Sequence, residues 1–123
     1  MIPFKNRFHG HKSLNYVYRN GQVVRLRLMI IKYITNPHRK ESRFSVVVSK
    51  KTLKSAVRRN RIRRRIYNFI RPKIILLNGV YDIVFIITSS EMLNISHDEM
   101  SEQLNQFFNQ INSQKINKNL QKD

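Results

Sequence analysis

The chain contains no cysteine. That excludes disulfides and thiolate metal sites, and it suits a reducing compartment, read here as the cytoplasm. No apolar run approaches the roughly 20 residues that span a bilayer. The N-terminus, Met1-Ile-Pro-Phe-Lys-Asn-Arg-Phe8, lacks the apolar core and small-residue cleavage site of a secretory signal. No membrane partner is expected. Nor is there a glycine-rich phosphate loop or a nucleophile–base pair, so no small-molecule substrate and no catalytic residue in the protein itself are expected. Acid is the scarcest feature. Residues 1–81 hold 21 lysines and arginines and a single acid, Glu41, whereas residues 82–123 hold 3 basic residues and 6 acids.

What is present is a localised positive field. The net charge is +17 over 123 residues, with a hydrophobic content of 41%. The length suits one domain and the apolar content suits a core. The charge calls for a polyanion. The expected organisation is a single RNA-binding domain over residues 1–113 and a frayed polar tail over 114–123. No internal repeat is visible.

Along the chain, Ser13 is expected to cap a short helix through Arg19, closed by Asn20-Gly21. Residues 23–35 are read as one long or bent strand, 36–41 as a hairpin loop, and Arg43–Val48 as a second strand. A helix is predicted from Ser55 to Arg71, where Pro72 stops it. Residues 73–79 read as a loop, with Ile74 to Leu77 as an alternative extension of the helix after a kink. Val80–Thr88, almost wholly apolar apart from Asp82, reads as a strand covered on both faces. Ser96-His97-Asp98-Glu99 is a capping box for a last helix, whose Met100, Leu104, Phe107, Phe108 and Ile111 share one face. This order gives an α+β fold, a sandwich around one sheet.

The chemistry concentrates in the central helix. Twelve basic residues and no acid lie between Glu41 and Asp82. At 3.6 residues per turn, Ile62, Ile66, Phe69 and Ile70 form an apolar stripe. Arg58, Arg61 and Arg65 flank it on one side, and Asn60, Arg64, Tyr67 and Arg71 on the other. Arg59 and Arg63 sit near its edges. Like charges at i,i+4 cost roughly 0.2–0.5 kcal/mol a pair, a repulsion that phosphates relieve. Such a helix could enter a DNA major groove. Its apolar stripe must be buried, however, which makes it the wall of a cleft and favours RNA backbone and single strands. Charge alone leaves the kind of nucleic acid open.

The other candidates have plainer readings. His9-Gly10-His11 offers two metal ligands at most, without a neighbouring acid. His38 and His97 are expected in a loop and at a helix start. Asp98, Glu99 and Glu102 suit a helix first turn more than an acid pair. Tyr16 and Phe8 carry no assigned role.

Arg43-Phe-Ser-Val-Val-Val-Ser-Lys-Lys51 followed after four residues by Ala56-Val-Arg-Arg-Asn-Arg-Ile-Arg-Arg64 resembles the signature of the bacterial ribonuclease P protein family. The likeness extends to Val17-Tyr18-Arg19-Asn20-Gly21, the Tyr81-Asp82 strand and the terminal helix. It implies a ribosomal S5 domain 2-like sandwich with a left-handed βαβ crossover. Physical rules alone favour the right-handed one. It also implies a noncatalytic partner of ribonuclease P RNA, assisting removal of the 5′ leader from precursor tRNA. The RNA subunit and its Mg²⁺ perform the hydrolysis, and the protein alone binds no cofactor.

By that resemblance Lys50, Lys51, Arg59, Asn60, Arg61, Arg63 and Arg64 face RNA, with Lys54, Arg58 and Arg65 added from the same basic run. Asn60 is also a position at which a metal or water is ordered. The leader-cleft candidates are Leu14, Tyr18, Ile30, Lys32 and Tyr67. Three of these depart from the family pattern: Leu14 and Lys32 stand where it has aromatics, and Tyr67 where it has a basic residue. Thr88-Ser89 replaces a further basic position, and Tyr33 would supply the strand aromatic only after a register slip that flips its face. The alternative function is a ribosomal or general RNA-binding module without an enzymatic partner. A DNA-binding architectural protein is third.

Overall fold

The computed structural model describes residues 2–8 and 10–122, with side chains described as far as Ser113. His9, half of the His9-Gly10-His11 pair, lies outside them, as do the side chains of the expected tail 114–123. The elements run α1 (His11–Asn20), β1 (Gln22–Arg25), β2 (Met29–Thr35), β3 (Arg43–Val48), α2 (Ala56–Ile70), β4 (Tyr81–Ile87) and α3 (His97–Lys122). Short 3-10 turns cover Phe4–Asn6, Arg71–Leu76 and Ser90–Leu93. The fold is mixed α+β around one four-stranded sheet, as the sequence pattern implied.

The sheet order is β1-β2-β4-β3. β1/β2 and β2/β4 are antiparallel, while β3 and β4 are parallel, so α2 lies on a βαβ crossover. This corrects two expectations. Residues 23–35 are two strands and not one, because Leu26, Arg27 and Leu28 make a tight reversal closed by a hydrogen bond from Leu26 N to Met29 O (2.9 Å). Residues 36–41 are not a hairpin loop, because β4 lies between β2 and β3. An almost fully apolar strand gains most from a central place, with a neighbour on each edge and cover on each face. Every residue of β4 except Ile86 is buried.

Alternation divides the sheet cleanly. Met29, Ile31, Tyr33, Phe44, Val46, Ile83 and Phe85 join the main core with α2 and α3. Phe107 of α3 meets Tyr33 and Phe85 edge-on, with ring centroids 5.5 and 5.9 Å away. The opposite face carries Lys32, Val84 and Ser45 in one cross-strand row and Ile30, Ile86 and Val47 in the next. α1 covers part of this second face through Val17, which is fully buried.

The helix ends explain themselves. α1 begins two residues before Ser13, with Gly10 as N-cap at a φ of 96°, a conformation that favours glycine. Ser13 therefore does not cap it, and its hydroxyl receives Arg43 Nη1 instead (3.2 Å). Gly21 follows α1 because a Cβ there would stand 2.6 Å from the Val17 carbonyl oxygen. Ser55 caps α2 by accepting from Arg58 N (3.3 Å). The α-helix gives way at Arg71, next to Pro72, and tightens into the 3-10 turn that carries Ile74. Half of the expected capping box forms at α3: Ser96 Oγ accepts from Glu99 N (3.1 Å). The Glu99 carboxylate turns instead to Arg27 (3.4 Å). Among the described residues no helix is long and apolar enough to cross a membrane.

Candidate nucleic-acid interface

α2 buries Ile62, Ile66, Tyr67, Phe69 and Ile70. The predicted isoleucine stripe thus faces the core, and Tyr67 joins it. That corrects the placement of Tyr67 on an outward flank. Only 9% of Tyr67 is exposed, and its hydroxyl accepts from Val46 N (3.1 Å). Burial raises its pKa, an effect opposed by the Val46 hydrogen bond, the nearby Arg63 and Arg7 charges and the Ser45 hydroxyl. The physical reason for its turn inward is the outer edge of β3. Val46 points its backbone N–H and C=O away from β4. Tyr67 takes the N–H, and Arg63 Nε donates to the C=O (3.3 Å). Two residues earlier on the same edge, Arg7 bridges Phe44.

The arginines of α2 divide into two groups. Arg59 Nη1 donates to the carbonyls of Leu53 (2.9 Å) and Lys54 (2.7 Å). Arg65 donates to the carbonyls of Met92 (2.9 Å), Leu93 (3.2 Å) and Ile95 (2.7 Å), clasping the end of the 3-10 turn before α3. Arg63 holds Val46 O and the Asn60 side-chain oxygen (2.7 Å). Arg63 on one flank and Arg65 on the other thus fasten the helix to the body. Between them runs an exposed ridge bearing Asn60, Arg61, Arg64 and Arg71, with Arg58 at its N-terminal end. Among the described residues the guanidiniums of Arg58, Arg61 and Arg64 make no hydrogen bond or ion pair.

Among the described residues no carboxylate neutralises this surface. The ion pairs of the described residues are Lys5–Glu41, Arg27–Glu91, Arg27–Glu99 and Arg43–Asp82, all away from α2. The partners of Arg59, Arg63 and Arg65 are neutral oxygens, so their charge stays uncancelled. The first turn of α2 carries no acid either, which leaves its positive dipole end unopposed. Lys50, Lys51 and Lys54 are exposed on the turn leading into it. Together these groups make a continuous cationic face.

The cleft candidates share the other face of the sheet. Ile30 and Lys32 point to the α1 side, and Leu14 and Tyr18 are half-buried on α1. Lys32 Nζ lies 5.4 Å from the centroid of the Tyr18 ring. Burial raises the Tyr18 pKa. Tyr33 lies on the opposite face, where its hydroxyl meets Gln22 Oε1 (2.8 Å), so Lys32 and not Tyr33 shares a face with Tyr18. The structure therefore brings Leu14, Tyr18, Ile30 and Lys32 to one face and leaves Tyr67 at the far edge of β3, beside Ser45. Thr88 and Ser89 lie past β4, where Ser89 caps the 3-10 turn by accepting from Glu91 N (3.2 Å).

Asn60 does not fit a metal ligand. Its side-chain oxygen already faces the Arg63 guanidinium, a cation where a metal ion would sit. Among the described residues no group of three His, Asp or Glu side chains is placed to hold a metal. His38 is exposed on the loop after β2, and His97 lies beside Phe69, with ring centroids 6.5 Å apart.

Sequence reasoning missed the buried Arg43–Asp82 pair. Its mark was there: a lone acid inside an apolar strand has to find a cation. It also missed the clasps of Arg59 and Arg65, which depend on carbonyls brought close only by folding.

Comparison with known proteins agrees with this geometry. The solved RNase P protein from Thermotoga maritima superposes with a TM-score of 0.74 at 21% identity, over 85% of this chain and 96% of that one. The RNase P protein of Staphylococcus aureus gives a TM-score of 0.71 at 22% identity, over 82% and 90%. These likenesses show the fold. The ribonuclease P protein component of Pseudanabaena sp. (strain PCC 6903) is 30% identical over 89 residues, covering 72% of this chain and 77% of that protein. That of Synechococcus sp. (strain RCC307) is 35% identical over 77 residues, 54% of this chain and 61% of its own length. The family model described as Ribonuclease P matches residues 2–112 of the chain. With that match and these relatives, the chain belongs to the ribonuclease P protein component family.

Proposed function

We propose that the chain is the protein subunit of a ribonucleoprotein endonuclease, a hydrolase acting in the cytoplasm on precursor tRNA. The exposed ridge of α2 holds ribonuclease P RNA. The sheet face beside α1 takes the single-stranded 5′ leader, with Tyr18 as its stacking aromatic and Lys32 as a phosphate contact. The RNA subunit with its Mg²⁺ supplies hydrolysis, and the protein supplies binding and orientation. The observation that supports this reading best is the guanidinium ridge. It carries Arg58, Arg61 and Arg64 without one carboxylate partner among the described residues, on a helix fixed at both flanks. A merely solvated charged face carries acids of its own.

Reconstitution tests the proposal. The purified chain alone is expected to leave precursor tRNA uncut. Added to a bacterial ribonuclease P RNA, it is expected to support cleavage at a lower Mg²⁺ concentration than the RNA needs by itself. Robust cleavage by the RNA-free chain would overturn the division of labour. Ribosomal RNA copurifying in place of a ribonuclease P RNA would favour the general RNA-binding module.

A further inference from the structure

Neither surface described so far uses Tyr16. It stands two residues before Tyr18 on α1, and at about 100° per residue the two rings leave the helix on opposite sides. Tyr18 turns to the sheet, whereas Tyr16 is 57% exposed. A cavity of about 470 Å³ opens beside it, between the start of α1 and the segment after β2. Lys12, Tyr16, Asn36 and His38 line this cavity, together with the Arg43–Asp82 pair. A second cavity of about 270 Å³ is lined by Lys12, Tyr16 and Arg19. Lys12 and Tyr16 thus stand between two adjoining hollows.

The charge here has one sign. Lys12 and Arg19 are exposed, as are Arg39 and Lys40 on the neighbouring loop. Among the described residues none of these four side chains has a hydrogen-bond or ion-pair partner. The one acid in the lining, Asp82, is already taken by Arg43 and by Asn36 Nδ2 (2.8 Å). An exposed flat ring set among unpaired cations, over a hollow of several hundred cubic ångströms, fits a flat group carrying phosphates.

We propose that this is a second RNA subsite, in which Tyr16 stacks on one unpaired base while Lys12 and Arg19 hold the flanking phosphates. The proposal rests on the RNA-binding reading above. An unpaired ribonucleotide reaches the subsite either from the leader of precursor tRNA or from a loop of the RNA subunit. The two sources separate by experiment.

The holoenzyme is reconstituted with Tyr16→Ala, Tyr16→Phe and Lys12→Glu chains. Two affinities are measured: chain for RNA subunit, and holoenzyme for precursor tRNA with a long or a one-nucleotide leader. Tyr16→Ala is expected to weaken one of these steps about tenfold, with Tyr16→Phe retaining it. Lys12→Glu is expected to weaken the same step without touching the ring. A loss confined to the long-leader precursor assigns the leader, and a loss in assembly assigns the RNA subunit. Unchanged affinity of Tyr16→Ala in both steps overturns the subsite. So does a loss in Tyr16→Phe as large as in Tyr16→Ala, because the stacking ring is then irrelevant. Arg61→Ala, measured alongside, separates the two claims. If it weakens assembly while Tyr16→Ala weakens nothing, only the subsite falls. If neither has an effect, the functional reading falls too.

Discussion

The guanidinium of Arg43 grips the carboxylate of Asp82 at two points, 2.9 Å from Nε to Oδ1 and 2.7 Å from Nη2 to Oδ2. Both residues are buried, at 6% and 3% exposure. Arg43 also donates to the Ser13 hydroxyl on α1 and stacks against Phe8, whose ring centroid is 4.7 Å away. Asn36 donates to Asp82 from the loop after β2. The pair therefore joins the N-terminal segment, α1, that loop and two parallel strands. Breaking one half of a buried pair costs about 3–5 kcal/mol, because the survivor is left charged and desolvated. Asp82→Leu should shift urea denaturation by an amount in this range. Combining it with Arg43→Met should recover most of the loss. A single-variant loss below about 1 kcal/mol would mean the pair is solvated like a surface bridge.

Arg61 and Arg65 should separate RNA binding from stability. Arg65 gives three hydrogen bonds to backbone carbonyls, so Arg65→Met should cost about 1–3 kcal/mol of stability. Arg61 is exposed without a partner among the described residues, so Arg61→Ala should change stability by less than about 0.5 kcal/mol. It should weaken assembly with the RNA subunit. The slope of log K against log salt should become shallower by about one. Thermal denaturation and salt-dependent binding assays on the two variants check the contrast.

Tyr67 makes alkaline stability a readout of the β3 edge. Burial raises its pKa above the ordinary 10.0, so the folded state keeps the phenol proton at a pH where the unfolded chain loses it. The native state then binds more protons, and stability falls as pH rises from about 10 through the raised pKa. Below pH 10 this contribution is fully present. Tyr18, Tyr33 and Tyr81 are shifted in the same direction and add to the same slope. Tyr67→Phe should cost about 1–3 kcal/mol near neutrality by orphaning Val46 N–H. It should also flatten the alkaline decline. Denaturation midpoints measured from pH 8 to 11 test both.

Lys32 lies over the Tyr18 ring, on the sheet face proposed to take the leader. Lys32→Met should weaken leader binding and lower its salt slope by about 0.7, the value for one phosphate on a single strand. Assembly with the RNA subunit should be unchanged, since Lys32 and the α2 ridge lie on different surfaces. An unaltered slope would place the leader elsewhere.

Local pattern made much of this legible. The isoleucines of α2, the cap at Ser96, the apolar face of α3 and the burial of β4 all follow from periodicity within one element. What escaped depended on distance along the chain. Nothing near residues 36–41 signals that β4 will enter between β2 and β3, because that choice is made by a strand some forty residues later. In a run of six arginines between Arg58 and Arg65, no local mark tells which turn inward. Arg65 does so because the 3-10 turn at Ser90–Leu93 ends beside it, and Arg59 because the turn before α2 offers two carbonyls. Tyr67 turns inward because the edge of β3 needs a cap. The motif still located the exposed cationic ridge, since a helix must leave exposed whatever its apolar stripe and clasps do not use.

The strand order also sets a schedule for synthesis. A ribosome emits β3 and α2 before β4, yet β4 is the strand that β3 pairs with and the one that ties it to β2. Until residue 87 has emerged, the nascent chain carries its arginine-rich segment without a completed sheet to rest on, and without five of the six acids that residues 82–123 contribute. Closure must therefore come late, after most of the chain is made, and for that interval the segment is a loose polycation among ribosomal and messenger RNA.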